Sequence, residues 1–276
     1  MINKINKSGQ DNCPDIFCIN SPHIEEGLLG KNIIAFEQID STNTFLKVNQ
    51  AVYPEGTIVI AREQTHGRGR LGRSWSSSFG EGIWMSFLLR PEIKPENCSG
   101  LTLVVALSLA KALRELTGLN LLIKWPNDIV CNGKKIAGIL TEMSAGDAKV
   151  DYVVVGVGIN VNTEHFPEEI REVATSLKLE GGSDFDFDTI INSFCKEFNK
   201  DYLIYINTGD MSKLRKEYET LLVNMGQKVS LIEDSKNYVG VATGINNEGE
   251  LLFLDDFGER EIRAGEVSVR GVYGYV

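Results

Sequence analysis

This 276-residue chain is short of cations, with 28 lysines and arginines against 38 acidic residues and a formal net charge of −10. It therefore lacks the basic surface needed to track nucleic-acid phosphates. Its five cysteines, Cys13, Cys18, Cys98, Cys131 and Cys195, are scattered and odd in number. They show neither Cys-x-x-Cys nor Cys/His ligand spacing, which leaves reduced cytosolic thiols rather than a disulfide scaffold or zinc site. The three histidines, His23, His66 and His165, lack metal spacing too and read as surface or loop residues. No run is long and apolar enough for a membrane span: the longest, Leu101 to Ala110, continues into Lys111 and Arg114 at helical spacing. The N-terminus carries two lysines but no apolar signal-peptide core. These absences point to a cytoplasmic protein that binds something smaller than a nucleic acid.

What remains is ordinary globular composition, 42% hydrophobic and long enough for one large domain plus a small one. Residues 1–30, broken by Pro14 and Pro22, read as a tail or linker remnant with one short helix at His23 to Leu29. A strand is expected at Asn32 to Glu37, then a helix N-capped within Asp40-Ser41-Thr42. Strands follow at Gly56 to Glu63, Gly82 to Leu89 and Leu121 to Trp125, with a long helix at Leu101 to Leu116 closed by Gly118. Asn132-Gly133 predicts a tight hairpin, and Asp151 to Val161 a buried strand. Helices are expected at Phe185 to Leu203 and Met211 to Leu222. After Asn224 the pattern alternates apolar and polar residues, with turns at Asn246-Asn247 and Phe257-Gly258; five short strands in so small a span predict a barrel. The expected division is 1–30, 31–223 and 224–276.

Two segments concentrate chemistry. In Gly67-Arg68-Gly69-Arg70-Leu71-Gly72-Arg73 the glycines allow close backbone approach to a ligand, and Arg68, Arg70 and Arg73 supply guanidinium forks for carboxylate and phosphate. The loop lies between two strands and lacks the Gly-Lys-Ser/Thr ending of a P-loop and the strand-to-helix setting of a dinucleotide fingerprint. In Lys124-Trp125-Pro126-Asn127-Asp128 the proline forces a turn directly after a strand, setting Lys124, Asn127 and Asp128 at its carboxyl end, where ligands of sheet proteins commonly bind. Trp125 reads as core. Together the two segments predict a site for an anionic nucleotide and a carboxylate.

In order along the chain, Asp40-Ser41-Thr42-Asn43, Gln64 with the Gly67–Arg73 loop, the Lys124–Asp128 turn, Lys135 with Ile136 to Leu140, and Gly156 to Val161 resemble the biotin protein ligases. The resemblance runs from about Asn32 to the end. It implies an α+β fold: a catalytic domain like that of class II aminoacyl-tRNA synthetases, with a mixed sheet and flanking helices, followed by an SH3-like barrel. It also implies two reactions, in which biotin and ATP with Mg²⁺ give biotinyl-5'-adenylate, and a lysine of a biotin carboxyl carrier domain then takes the biotinyl group. Biotin-binding positions carried over are Ser41, Thr42, Asn43, Gln64, Gly67, Arg68, Arg70 and Lys135. Those for ATP and the adenylate are Arg70, Arg73, Lys135 and Asn160, and the catalytic set is Lys135, Arg70, Asp128 and Lys124. No metal ligand is expected from the protein alone.

Biotin's carboxylate is already ionised at neutral pH, so the first step needs its two anions brought together rather than a base. The acceptor lysine of the second step must lose a proton, and Asp128 is the matching carboxylate. Many bacterial members also carry an N-terminal DNA-binding module and repress the biotin operon; thirty residues are too few for one, so no DNA partner is expected. A homodimer through a sheet edge fits the resemblance. A lipoate ligase, the nearest rival, is expected to carry a Gly-Gly-Gly run and a following histidine in place of the arginine loop. A non-enzymatic biotin or adenylate sensor is disfavoured by the intact Lys124, Asp128 and Lys135.

Overall fold

The computed structural model describes residues 27–146, 149–233, 236–264, 268–271 and 275. Most of the expected tail, with Cys13, Cys18 and the start of its short helix, lies outside them. Strand β1 (Asn32–Ile39) leads into helix α1 (Thr42–Asn49), whose N-cap is Ser41, its hydroxyl accepting from the Thr44 amide. Strands β2 (Thr57–Gln64) and β3 (Gly82–Leu89) flank the arginine loop, and helix α2 (Cys98–Thr117) follows. It begins three residues before the expected Leu101 and ends on Gly118 in the left-handed conformation. Next come β4 (Leu122–Lys124), β5 (Asp128–Cys131), β6 (Lys134–Ala145) and β7 (Val150–Asn160). Asn132 and Gly133 both take positive φ (48° and 78°), as a two-residue hairpin between β5 and β6 requires.

These seven strands form one mixed sheet in the order β1-β2-β3-β7-β6-β5-β4, parallel only between β1 and β2. Helix α3 (Leu177–Gly181), too short for its periodicity to stand out, was not expected. Helix α4 runs Phe187–Thr208, longer at its C-terminal end than the expected Phe185 to Leu203, because Asp186 caps its start and the left-handed Gly209 its end. Helix α5 is confined to Arg215–Leu221.

Strands β8 (Lys228–Glu233), β9 (Lys236–Ile245), β10 (Leu251–Asp255), β11 (Gly258–Ile262) and β12 (Ser268–Gly271) form a five-stranded antiparallel sheet, ordered β11-β10-β9-β8-β12. It shares the main apolar core: Leu231, Leu251 and Phe253 belong to the same buried cluster as Leu107 and Phe194. Trp125, buried as expected, fastens the two parts, its indole N–H donating to the Gly249 carbonyl (3.0 Å) and its amide to Asn224 Oδ1 (3.0 Å).

Strand alternation positions the site. One face of β3 and β7, with Met85, Phe87, Val155 and Val157, packs into the core with α2 and α4. The opposite face presents Trp84 and Ser86 on β3, Gly156, Gly158 and Asn160 on β7, and Gly138, Leu140 and Glu142 on β6. The register sets Ser86 opposite Gly156, Gly156 opposite Leu140, and Gly158 opposite both Trp84 and Gly138. Small residues in mid-sheet leave room on that face, at whose far end α1 packs with Phe36, Leu88 and Val154.

Candidate active site

The arginine loop folds as a small hairpin of its own. Trp75 N–H bonds to the Gly67 carbonyl (2.9 Å), Gly69 N–H to that of Arg73 (2.7 Å), and Leu71 and Gly72 turn the chain at positive φ (55° and 73°). Trp75 then lies flat on the sheet over Gly138 and Gly158, where a Cβ would stand 2.8 Å and 2.6 Å from its ring. Only glycine at those two positions admits the indole. The Gly67–Arg73 motif does not include Trp75, and the glycines that Trp75 covers lie on two different strands, so no local pattern marks it.

Arg70 joins the two motifs. Its Nη1 donates to Asn127 Oδ1 (2.8 Å), while Asn127 Nδ2 and carbonyl bond the backbone of Ile139 on β6 (3.1 and 2.9 Å). Burial lowers the Arg70 pKa from its ordinary value; Asp128 opposes that and Arg73 adds to it. Arg70 Nη2 and Trp75 Nε1 are buried donors with no hydrogen-bond partner among the described residues, and a ligand acceptor would satisfy both.

Lys135 is clamped at the start of β6, its amide bonded to the Val173 carbonyl (2.8 Å) and its carbonyl to the Thr175 amide (2.9 Å). Its ammonium reaches Asp128 Oδ1 (2.6 Å) and lies 4.9 Å from the centre of the Trp75 ring. Lys135 thus points inward, although its place after the hairpin alone reads as that of a surface lysine. Asp128 Oδ2 accepts from the hydroxyl of Tyr275 near the chain terminus, and the Lys124 ammonium sits 3.3 Å above that tyrosine's ring. Nothing in the sequence pattern linked Tyr275 to the turn.

Two cavities meet at Lys135 and Trp75, which line both. The first, about 50 Å³, is bounded by Ser41, Thr42, Gln64, Arg68 and Arg70 and floored by glycines of β6 and β7. Asn43 also lines it, but its amide is turned onto Ser86 and Glu142 (2.5 and 3.0 Å). Burial works against the Glu142 carboxylate; bonds from Lys47 and Asn43, with Arg68 nearby, outweigh it and hold its pKa below the ordinary value. The second cavity, about 200 Å³, takes in Arg73, Asn160, Tyr275 and the loop of His165 and Phe166. Asn160 is fixed by donation to the Thr175 carbonyl (3.1 Å). His165, read from sequence as a surface residue, is exposed and borders this cavity. His66 is exposed as well, its ring bonded to Thr65 (3.0 Å). Lys124 borders neither cavity; it is buried beneath Tyr275.

The arrangement suits two joined ligand parts: a small polar group deep against Thr42 and Gln64, and a larger one against Trp75 and the 163–167 loop. Their junction falls among Arg70, Arg73 and Lys135.

Residues 35–160 match the sequence profile of the biotin/lipoate A/B protein ligase family. The Bacillus subtilis bifunctional ligase/repressor BirA is 36% identical over 245 residues, covering 88% of this chain and 75% of that protein. The Mycobacterium tuberculosis biotin–[acetyl-CoA-carboxylase] ligase is 32% identical, covering 83% and 86%. Among solved structures, the Aquifex aeolicus biotin protein ligase in complex with biotin and ATP superposes with a TM-score of 0.78 at 35% identity, over 87% of this chain and 99% of that one.

Proposed function

The chain belongs to the biotin protein ligases of the biotin/lipoate protein ligase family, and from that premise we propose how its residues divide the work. It is an ATP-dependent ligase that makes biotinyl-5'-adenylate and passes biotin to a lysine of a carboxylase carrier domain. The observation that carries the assignment of steps is the position of Lys135, in the wall between the two cavities and bonded to Asp128.

Biotin's ureido ring occupies the smaller cavity. Thr42 and Gln64 oxygens accept its N–H groups, and Ser41, whose oxygen already takes the Thr44 amide (3.4 Å), has its own proton free for the carbonyl. The valeryl carboxylate extends under Trp75 to Arg70 and Lys135. ATP lies in the larger cavity with Asn160 and Arg73 beside it, and Mg²⁺ enters on its phosphates as part of that substrate. The cations offset repulsion between carboxylate and α-phosphate as the carboxylate oxygen attacks and pyrophosphate leaves. In the second step the carrier's lysine approaches through Asp128, which takes or orients its proton, so Tyr275 must yield the carboxylate oxygen it holds. The two-cavity wall belongs to residues 31–223, and residues 224–276 supply Tyr275 as a C-terminal domain. Association through the sheet edge at β1, since β4 is covered by residues 222–224, and a cytoplasmic location complete the proposal.

The test is biotin-dependent ATP–pyrophosphate exchange, run in parallel with lipoate, followed by addition of a biotin carrier domain and mass analysis. Exchange with biotin alone and a mass gain of one biotinyl group are expected. Exchange with lipoate instead, or none from folded protein, overturns the assignment.

A further inference from the structure

Beneath the ureido cavity a chain of hydrogen bonds joins Thr42 and Asn43 of the first motif to Ser86 and Glu142, which belong to none, and its direction can be worked out proton by proton. The Glu142 carboxylate can only accept. Its Oε1 is held by Lys47 (2.7 Å), and its Oε2 takes a bond from Asn43 Nδ2 (3.0 Å). With that nitrogen committed, Asn43 turns Oδ1 to Ser86, whose hydroxyl donates to it (2.5 Å). A hydroxyl has one proton, so at its 2.6 Å contact with Thr42 Oγ1 the Ser86 oxygen must accept. The Thr42 proton is thereby drawn into the protein. Across the cavity Gln64 Nε2 donates to Ser77 Oγ (2.9 Å), and Gln64 Oε1 accepts from the Thr42 backbone N–H (2.9 Å), which leaves that oxygen one lone pair.

Reversing the chain would change what the cavity offers. Asn43 would donate to Ser86, Ser86 to Thr42, and Thr42 to Gln64 Oε1, 3.1 Å away. One lone pair would be consumed on each of the two oxygens that face the ligand. The charge on Glu142 forbids this, because reversal would set Asn43 Oδ1 against a carboxylate. Ser86 is fully buried and the Glu142 side chain only 19% exposed, so water cannot readily take over either role.

We propose that Ser86 and Glu142 are positioning residues for biotin: through Asn43 they fix the direction of the chain ending on Thr42, and so keep Thr42 and Gln64 as acceptors for the ureido N–H groups. This deepens the assignment of the small cavity to biotin and rests on it. It also gives Asn43 its part, as the relay between carboxylate and hydroxyl.

The experiment uses the full chain and steady-state pyrophosphate exchange. Glu142→Gln supplies an amide N–H where Asn43 needs an acceptor and permits reversal; Ser86→Ala cuts the chain. Each should raise KM for biotin about tenfold to a hundredfold while kcat and KM for ATP stay near wild type. Because both act through one chain, the double variant should be little worse than the poorer single one. Unchanged biotin KM, multiplicative losses, or equal damage to ATP and biotin parameters would overturn the inference. Should a variant fail to fold, NMR on the wild-type protein decides: NOEs from the Asn43 side-chain NH₂ must run toward Glu142 and not toward Ser86. Wild-type protein without biotin-dependent exchange would sink the ligase assignment itself, an outcome distinct from the others.

Discussion

The arginine loop and the Lys124–Asp128 turn meet where Arg70 bonds Asn127, but the fold treats them in opposite ways. The turn is packed: Lys124, Asn127 and Asp128 are each less than 10% exposed, and Trp125 beside them is core. The loop stands out from the sheet, with Leu71 65% exposed, and is held chiefly by its own short backbone bonds and by Arg70 reaching Asn127. On the proposed reading, groups that must meet reacting atoms within a few tenths of an ångström sit on the packed element, and groups that enclose a ligand sit on the exposed one. Lys135, fixed in β6 yet in contact with Trp75 from the loop and Asp128 from the turn, is where the two treatments meet.

The largest effect should therefore come from Lys135. Replacing it with alanine is expected to cut adenylate formation roughly 10²–10³-fold, the loss typical of one buried donor aimed at developing negative charge, while circular dichroism and melting remain close to wild type. Near-normal turnover would move catalysis away from the junction and onto the arginines alone. Asp128→Asn sharpens the contrast between steps: transfer to the carrier should fall by roughly 10²-fold or more, the contribution expected of a positioned base, and pyrophosphate exchange by much less. Equal losses in both steps would make Asp128 a structural part of the turn. Tyr275→Phe should leave exchange unchanged and alter only transfer, since it frees the Asp128 oxygen that the acceptor needs.

The sequence revealed the two regions unequally, for physical reasons. The seven-stranded sheet, the capping serine, the Asn-Gly hairpin and the five C-terminal strands rest on local propensity, periodicity and turn chemistry, which a linear reading captures. Helix α3 and the limits of α4 and α5 depend on caps and tertiary packing. Asp128 was legible beside the turn that Pro126 enforces, whereas Lys135 alone reads as a surface hairpin lysine and joins the site set only through the family resemblance. Trp75, Tyr275, Ser86 and Glu142 were not: the tertiary fold brings each to partners dozens to more than a hundred residues away in the chain. Ser86 in an apolar strand looks like an ordinary buried serine until the register sets it opposite Gly156. Lys124 shows the reverse pattern, a motif lysine set over a tyrosine ring and lining neither cavity.

Stability should divide along the same line. Trp125→Phe keeps most of the buried ring but leaves the Gly249 carbonyl without its donor, at a cost of about 1–3 kcal/mol for an unsatisfied buried acceptor. Leu71→Gly, in the exposed loop at φ 55°, relieves a left-handed side chain and should stay within about 1 kcal/mol of wild type. Denaturant titration compares the two directly, and a larger loss at Leu71 than at Trp125 would reverse the assignment of rigid and mobile elements.

The smallest and most local effect is the one that tests mobility itself. Hydrogen exchange without ligand should be fast at Arg70 to Ser74, where one small hairpin stands apart from the sheet, and slow at Ile123 and Trp125, whose neighbours are buried and bonded across to residues 222–224. Adding biotin and ATP should slow the loop amides and leave the turn unchanged, because only the loop has freedom to lose. If both segments slow together, the turn is ordered by ligand as well and its rigidity is not built into the fold. If neither slows, the loop is preformed around an open site, and the orphaned donors of Arg70 and Trp75 are held ready by the protein rather than recruited by its substrates.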